Sequence, residues 1–489
     1  MSRVLSVSQN PASAKLVRTM PLLMGLLLGG CISAHYAAPQ ERALDNPADL
    51  GLSGAPAPVA GAEWWAAYQD PQLDRLLHSA LAGSPTLAQS LARLRGAQAE
   101  AAAVHADSLP LVTYDAAESR ERFSAHAPIP SPYGGTPRWD GDQGFNLSWD
   151  LDFWGRQAAL VRQARNQAEA AALDSAGARL AIAGAVVRSY LELDRAYALA
   201  DVDERTEQQR LQILSITQRR LKAGLDTTVE LRQAQGAVAD ARVDLTQIRG
   251  ERDRDVHLLA ALTGQGATAY EQIERPRLRA DTVFALPASL PFDLLARRPD
   301  VLAAHSRIIG ARAGLAAAKA AFYPDIDLLA FAGTEAIGFD ALFRGSARTF
   351  GVGPALHLPI FDAGKLRANY RGRAADVDLA VTTYNQTVLE AVQQTADQIS
   401  NIVALDAGLR QQQQSLDAAE DAFRLATDRY KAGLTTYLSV LATETEVLAA
   451  RRQRVDLLSA RDIARVTLLI DVGGDFHSDS VMLSATASR

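Results

Sequence analysis

The sequence predicts a chain of mixed α and β structure, internally duplicated, with short amphipathic strands carried between very long helices. Three observations predict it. Arg220-Leu221-Lys222-Ala223-Gly224-Leu225 recurs 209 residues later as Arg429-Tyr430-Lys431-Ala432-Gly433-Leu434, and Gly155-Arg156 recurs at the same offset as Gly364-Lys365. Two segments, 145–153 and 350–360, alternate apolar and polar residues with a period of two. Two others, 156–222 and 365–431, contain no proline and read as helix. Pro85 and Pro110 also recur as Pro299 and Pro324, offset by 214. The first copy therefore holds an insertion between Pro110 and Gly155, where His126 to Pro137 carries four prolines. Each half reads as one strand-and-helix module of a tandem duplication.

The first thirty residues read as an address. Arg3, Lys15 and Arg18 form a basic start without acids, Pro21 to Gly30 is apolar, and the single cysteine, Cys31, follows Leu28-Gly29-Gly30. This pattern is an export signal too short to span a membrane. Leu-Gly-Gly-Cys resembles a bacterial lipobox, in which the cysteine is diacylated at sulfur, becomes the N-terminus and is acylated on its amine; Ile32, not Asp, resembles the outer-membrane sorting choice. A buried free thiol is the alternative. With Cys31 acylated, no disulfide is possible. The organisation that results is a signal peptide (1–30), a Pro/Ala/Gly-rich lipidated tether (31–62), a first repeat (63–275), a second repeat (276–475) and a C-terminal tail (476–489).

Charge and motifs exclude several classes. Removing residues 1–30 takes three positive charges and no negative ones from a chain whose formal charge is −6, which argues against nucleic acid as a partner. The eight histidines are widely scattered, and there is no nucleophile elbow or phosphate-cradling loop. No catalytic residue, metal ligand or cofactor is expected beyond the lipid on Cys31, so the chain does not read as an enzyme.

The first strand sets Phe145, Leu147, Trp149, Leu151 and Phe153 on one face against Asn146, Ser148, Asp150 and Asp152 on the other. The second sets Phe350, Val352, Pro354, Leu356, Leu358 and Ile360 against Thr349, Gly351, Gly353, Ala355, His357 and Pro359. Each has a hairpin partner upstream, Leu109 to Arg120 and Pro324 to Thr334, and each has the length of a tilted membrane strand. The acids Asp150, Asp152, Asp325 and Asp327 fall on the polar face, where they either favour cations or stand as ordinary solvated carboxylates.

Helices are expected at 156–222 and 365–431, and at 228–262 and 436–470 after the two Lys-Ala-Gly-Leu turns. A 67-residue helix is about 100 Å long at 1.5 Å per residue, beyond any compact domain. Ile182, Val186, Leu193 and Tyr197 mark one packing stripe, and Leu441, Leu448 and Val455 another with a spacing of seven. Four strands cannot close a membrane barrel, because an open edge in lipid leaves backbone groups unpaired. Several chains must contribute, and three would supply twelve strands.

Trp64-Trp65, Asp70-Pro71-Gln72-Leu73, Arg297-Arg298-Pro299-Asp300-Val301, Ala321-Phe322-Tyr323-Pro324 and the Arg429-Tyr430-Lys431-Ala432-Gly433 turn together resemble the outer-membrane factors of tripartite efflux pumps. The likeness is to their NodT-type lipoproteins in particular, relatives of the TolC-like and OprM-like channels. The resemblance implies a homotrimer: a twelve-stranded β-barrel in the outer membrane, four strands per chain, continued by a periplasmic α-helical barrel. It implies export of small molecules handed over by a periplasmic adaptor and an inner-membrane transporter of the RND type. The other readings are a TolC-like protein-secretion duct and a structural periplasmic lipoprotein. It also implies that residues 220–225 (Arg220, Leu221, Lys222, Ala223, Gly224, Leu225) and 429–434 (Arg429, Tyr430, Lys431, Ala432, Gly433, Leu434) dock the adaptor at the tunnel tip, with Tyr430 at the periplasmic gate. Relatives carry an Asp and an Arg after the second turn, where Ala442 and Thr445 stand in this chain.

Overall fold

The computed structural model describes residues 63–122, 135–279 and 297–474, with isolated positions such as Leu50, Leu52 and Phe476. The leader, Cys31, most of the tether and the tail after Phe476 lie outside the described residues. A 3₁₀ turn (Trp64–Tyr68) precedes α1 (Pro71–Gly83) and α2 (Pro85–Ala106). The hairpin β1 (Leu111–Arg122) and β2 (Pro137–Asp150) follows, then α3 (Arg156–Lys222) and α4 (Thr228–Leu262). The second half repeats this as α5 (Pro299–Ala320), β3 (Asp325–Ile337), β4 (Arg348–His357), α6 (Lys365–Lys431) and α7 (Tyr437–Asp471). Equivalent helices are equal in length: 22 residues in α2 and α5, 67 in α3 and α6, and 35 in α4 and α7.

The strands form one antiparallel sheet in the order β1-β2-β3-β4. Leu111 faces Ser148 in the first hairpin, and Asp325 faces His357 in the second. Asp325 lies 214 residues after Leu111 and His357 lies 209 after Ser148, so the duplication extends to strand register. Val112, Phe145, Ala332 and Phe350 share one face, which is apolar, and it is open in this chain: Phe350 and Val352 are 82% and 76% exposed. The opposite face carries Thr113, Asp115, Asn146 and Ser148, with Asn146 donating to Asp115 at 2.9 Å. Backbones approach closely on this face where Gly144 pairs with Gly333: a Cβ on Gly333 would lie 2.1 Å from the Gln143 carbonyl oxygen.

Two strands stop earlier than the alternation predicts. β2 ends at Asp150 and not at Phe153, because Asp152 takes φ 45° and turns its carboxylate onto the backbone N–H groups of Gln157 and Ala158 at 2.9 and 2.8 Å, capping α3. β4 ends at His357, ahead of Pro359, which cannot donate to a ladder, and Asp362 repeats the cap on Gly364 and Leu366. The acids of the polar face are thereby reassigned. Arg156 donates to both Asp150 (3.1 Å) and Asp325 (3.0 Å), and Gln157 donates to Asp150 (3.0 Å). Asp150, Asp152 and Asp325 fasten the sheet to its helices and are not free solvated carboxylates. Trp154 adds to this joint, stacking on Tyr323 at 4.8 Å and donating to the Pro324 carbonyl at 2.8 Å.

The largest core cluster draws on both halves, with Trp65, Leu73, Leu77, Val186, Tyr190, Leu193, Leu259 and Val466 all buried in it. Asp70 organises its edge. It N-caps α1 through Gln72 N–H (2.9 Å) with Pro71 at the first helical position, and it accepts from the Tyr190 hydroxyl and the Arg277 N–H, each at 2.7 Å. The stripe expected at Leu441, Leu448 and Val455 is only half-buried. The buried positions are Val440 and Val447, one residue before Leu441 and Leu448, together with Glu444 between them, a charged residue at a core position that apolar counting skips.

Asp255 on α4 is half-buried. Burial, and then the like charges of Glu192 and Glu251, push its carboxyl up to about 6 against the pull of Arg195 and Arg254. A carboxyl that protonates more readily folded than unfolded favours the fold in acid, and that contribution is lost as pH rises through about 6. Asp255→Asn is therefore expected to flatten the fall in thermal midpoint between about pH 4 and about pH 7; an unaltered slope in pH-resolved thermal melts contradicts this.

Candidate functional site: the paired helix turns

Each long helix ends in the same way. In the first half Gly224 takes φ 72°, the Leu225 N–H bonds the Arg220 carbonyl at 2.9 Å, and the Gly224 N–H bonds Leu221 at 3.0 Å. In the second half Gly433 takes φ 77°, with Leu434 bonded to Arg429 at 2.8 Å and Gly433 to Tyr430 at 3.0 Å. These are Schellman turns, which require a left-handed residue and so explain both glycines. They present Lys222, Leu225, Arg429, Lys431 and Leu434 to solvent, with the two leucines 64% and 73% exposed.

The two turns then part company. Asp226 follows the first, whereas Thr435 follows the second. Asp226 receives two hydrogen bonds from Arg220 (Nε 3.0 Å, Nη2 3.1 Å) and one from the Tyr430 hydroxyl (2.5 Å). Arg220 also donates through Nη1 to the Tyr430 carbonyl at 2.9 Å, and its guanidinium lies 4.6 Å from the Tyr430 ring centroid. Thr217 completes the set, its hydroxyl 3.0 Å from that of Tyr430. Tyr430 is 1% exposed, and burial followed by the Asp226 hydrogen bond pushes its phenol up to about 12, so it remains a neutral donor. The arrangement is a latch in which the first half holds the second. Each charge-assisted bond contributes about 1.5–3 kcal/mol net, and the cation–π contact about 0.5–2.

Further ties run from this latch along the seam between α3 and α7. Arg210 pairs with Glu444 at 3.3 Å and donates to the Ala237 carbonyl at 2.7 Å, so it joins α3, α4 and α7. Asp203 receives Arg452 at 2.6 Å, and Arg195 donates to Asp456 at 2.8 Å. Asp203, Arg210 and Thr217 are spaced by sevens on α3, so an acid, a base and a hydroxyl share one face of the helix. Burial raises the carboxyls of both Glu444 and Asp203 above the ordinary range, opposed by their arginine partners. One oxygen of each has no hydrogen-bond partner.

Arg220, grouped by sequence with the docking residues, is folded into the latch with its side chain 12% exposed. Arg429 is its exposed counterpart. Ala442 and Thr445 are both exposed in the single chain, and the Thr445 hydroxyl donates to its own helix at Leu441. Sequence reasoning missed Asp226, Thr217, Arg210 and Glu444. Two signals were present: the repeat is broken at the two positions that meet, Leu221/Tyr430 and Asp226/Thr435, and Glu444 sits in phase with Tyr437, Val440 and Val447.

A sheet of membrane-length strands with one exposed apolar face, mounted on helices the longest of which are about 100 Å, defines an outer-membrane channel protein with a helical extension. The chain belongs to the outer membrane efflux protein family, whose family model matches it twice, over residues 76–265 and 290–474. It is 35% identical over 377 residues to the fusaric acid resistance protein FusA of Burkholderia cepacia, covering 76% of this chain and 71% of that one. It is 33% identical over 474 residues to the pyoverdine export outer membrane protein OpmQ of Pseudomonas aeruginosa, covering 93% and 96%. The crystal structure of the outer membrane protein VceC from Vibrio cholerae matches with a TM-score of 0.81 at 32% identity, over 86% of this chain and all of that one.

Glu444→Gln leaves Arg210 as an uncompensated buried charge and is expected to cost about 3–5 kcal/mol, whereas Arg210→Met with Glu444→Leu restores most of the loss. Denaturant titration of the three proteins checks this; a double variant as unstable as the single one contradicts it.

Proposed function

We propose that the chain is one subunit of a homotrimeric outer-membrane efflux channel, with a twelve-stranded barrel in the membrane and a periplasmic tunnel closed at the paired turns. The observation that carries the reading is the four-stranded sheet with one open apolar face and two unpaired edges, β1 and β4. In hydrocarbon an open edge leaves several backbone groups unsatisfied, each at a cost of several kcal/mol, and only closure removes it. Exposed apolar residues down α6, including Leu379, Val403 and Leu425, suit packing against neighbouring copies.

Transport in this reading is gated passage without chemistry. The polar sheet face lines a water-filled lumen, and the Arg220–Asp226–Tyr430 latch holds the second half's helices against the first. Opening separates them, as interfaces with two discrete packings do. Lys222, Leu225, Arg429, Lys431 and Leu434 dock the periplasmic adaptor, and an RND-type inner-membrane transporter supplies the energy. Acylated Cys31 anchors the chain to the outer membrane. The cargo is a class of small organic molecule, in keeping with relatives named for fusaric acid, multidrug and pyoverdine export.

Planar-bilayer conductance tests the reading. The wild type is expected to conduct weakly and Asp226→Asn with Tyr430→Phe to conduct strongly. Loss of about 1.4 kcal/mol from the closed state multiplies the open-to-closed ratio about tenfold. Membrane-inserted trimers of both proteins that pass no current rule out the duct.

A further inference from the structure

The far end of the sheet, away from the long helices, carries an arrangement that neither the barrel nor the gate uses. The apolar face of β1 continues past Tyr114 and Ala116 through Glu118 to Arg120 and Arg122. Arg120 lies opposite Trp139 and packs its guanidinium 5.8 Å from that ring centroid. Arg348, at the start of β4, stands opposite Thr334, which pairs with Gln143, placing it on the same face. The connection between β3 and β4 folds back over this face: Leu342 is buried against Gly141, where an added Cβ would meet its Cδ2 at 3.3 Å. This presents Phe339 and Phe343, 5.7 Å apart edge to face and both exposed, next to exposed Arg344.

Arg120, Arg122 and Arg348 thus share the apolar face just beyond its band, and Arg344 stands on the connection that folds over it. Arg122 donates to the Gly135 carbonyl at 3.2 Å. Among the described residues no carboxylate forms an ion pair with any of the four; Glu118, which shares their face, and Asp340, beside Phe339, are both exposed, and Glu121 lies on the opposite face of β1. Aromatic rings beside guanidinium groups at this depth meet a leaflet at its headgroups. Guanidinium binds phosphate in a bidentate fork and is weakly hydrated, so it selects phosphate over water at a lipid interface. With the helices in the periplasm, this end faces the outside.

We propose that this surface binds the phosphorylated glycolipid of the outer leaflet, lipid A, with Arg120, Arg122, Arg344 and Arg348 taking its phosphates and Trp139, Phe339 and Phe343 its sugar and acyl boundary. The orientation rests on the channel reading above. The lipid seats the barrel at a fixed depth, and its phosphates neutralise a cationic rim on an otherwise acidic chain.

Native mass spectrometry of the detergent-purified full chain tests this with three probes: bisphosphorylated lipid A, its dephosphorylated form, and phosphatidylglycerol. The wild type is expected to retain bisphosphorylated lipid A at least about tenfold better than the dephosphorylated form, a comparison that needs no variant. Substituting all four arginines by Gln should abolish the preference, and Arg344→Gln with Arg348→Gln, which leaves β1 untouched, should reduce it. Equal retention of the two lipid A forms, equal retention by the variants, or equal retention of phosphatidylglycerol overturns the site. Conducting trimers without the preference overturn the lipid site alone, and monomers that show it overturn the channel reading alone.

Discussion

The constraint on which the rest depends is the pair of unpaired sheet edges. A four-stranded sheet whose apolar face matches a bilayer cannot end in lipid at β1 and β4, because every second residue there points its N–H and C=O outward without partners. The duplication supplies the remedy. Since both hairpins share one register, the β4 edge of one copy presents to the β1 edge of the next what β2 presents to β3 within the chain. In the proposed trimer, closure by identical copies would need no new contact type and would fix how the helices beneath are arranged, because Asp152 and Asp362 tie each long helix's start to the end of a strand.

The helical part resolves the opposite problem. In the proposed channel, a tunnel that opens is not sealed by a continuous apolar core, which would separate only at large cost. The seam between α3 and α7 carries charge at core positions, Asp203, Arg210 and Glu444, all paired, with one carboxylate oxygen of Asp203 and of Glu444 left without a hydrogen bond. Pairs of this kind add little net stability while penalising a wrong register strongly. The latch at the paired turns follows the same logic: Asp226, present in one copy only, lets a single turn hold both.

Much of the fold was legible because the signals were long. Proline-free runs of 67 residues and a fixed offset between Lys-Ala-Gly-Leu turns gave helix limits that match α3, α4 and α6 and come within a residue of α7. Strand existence followed from the period of two, but strand ends did not, since Asp152 and Asp362 serve helix caps that alternation cannot see. The exposed residues of the turns were legible from their resemblance to known tips. The latch was not, because Arg220 looks like its exposed counterpart Arg429 until Asp226 is placed beside it. The seam was hidden for a related reason: counting apolar residues by sevens selected Leu441 and Leu448, while the buried position belonged to Glu444.

Closure of the barrel between copies is the central claim, and cysteine cross-linking across the seam tests it most directly. Carrying the β2–β3 register through the repeat offsets sets Ala117 on β1 opposite Ala355 on β4 of the neighbouring copy. Within one chain these positions lie on opposite edges of the sheet, three strand spacings or at least about 14 Å apart even before their offset along the strands is counted, beyond the roughly 7 Å that a disulfide spans. Oxidation of Ala117→Cys with Ala355→Cys in intact outer membranes is predicted to give covalent trimers that collapse to monomers on reduction. Membrane-inserted protein in which both thiols stay free and alkylatable would contradict the account.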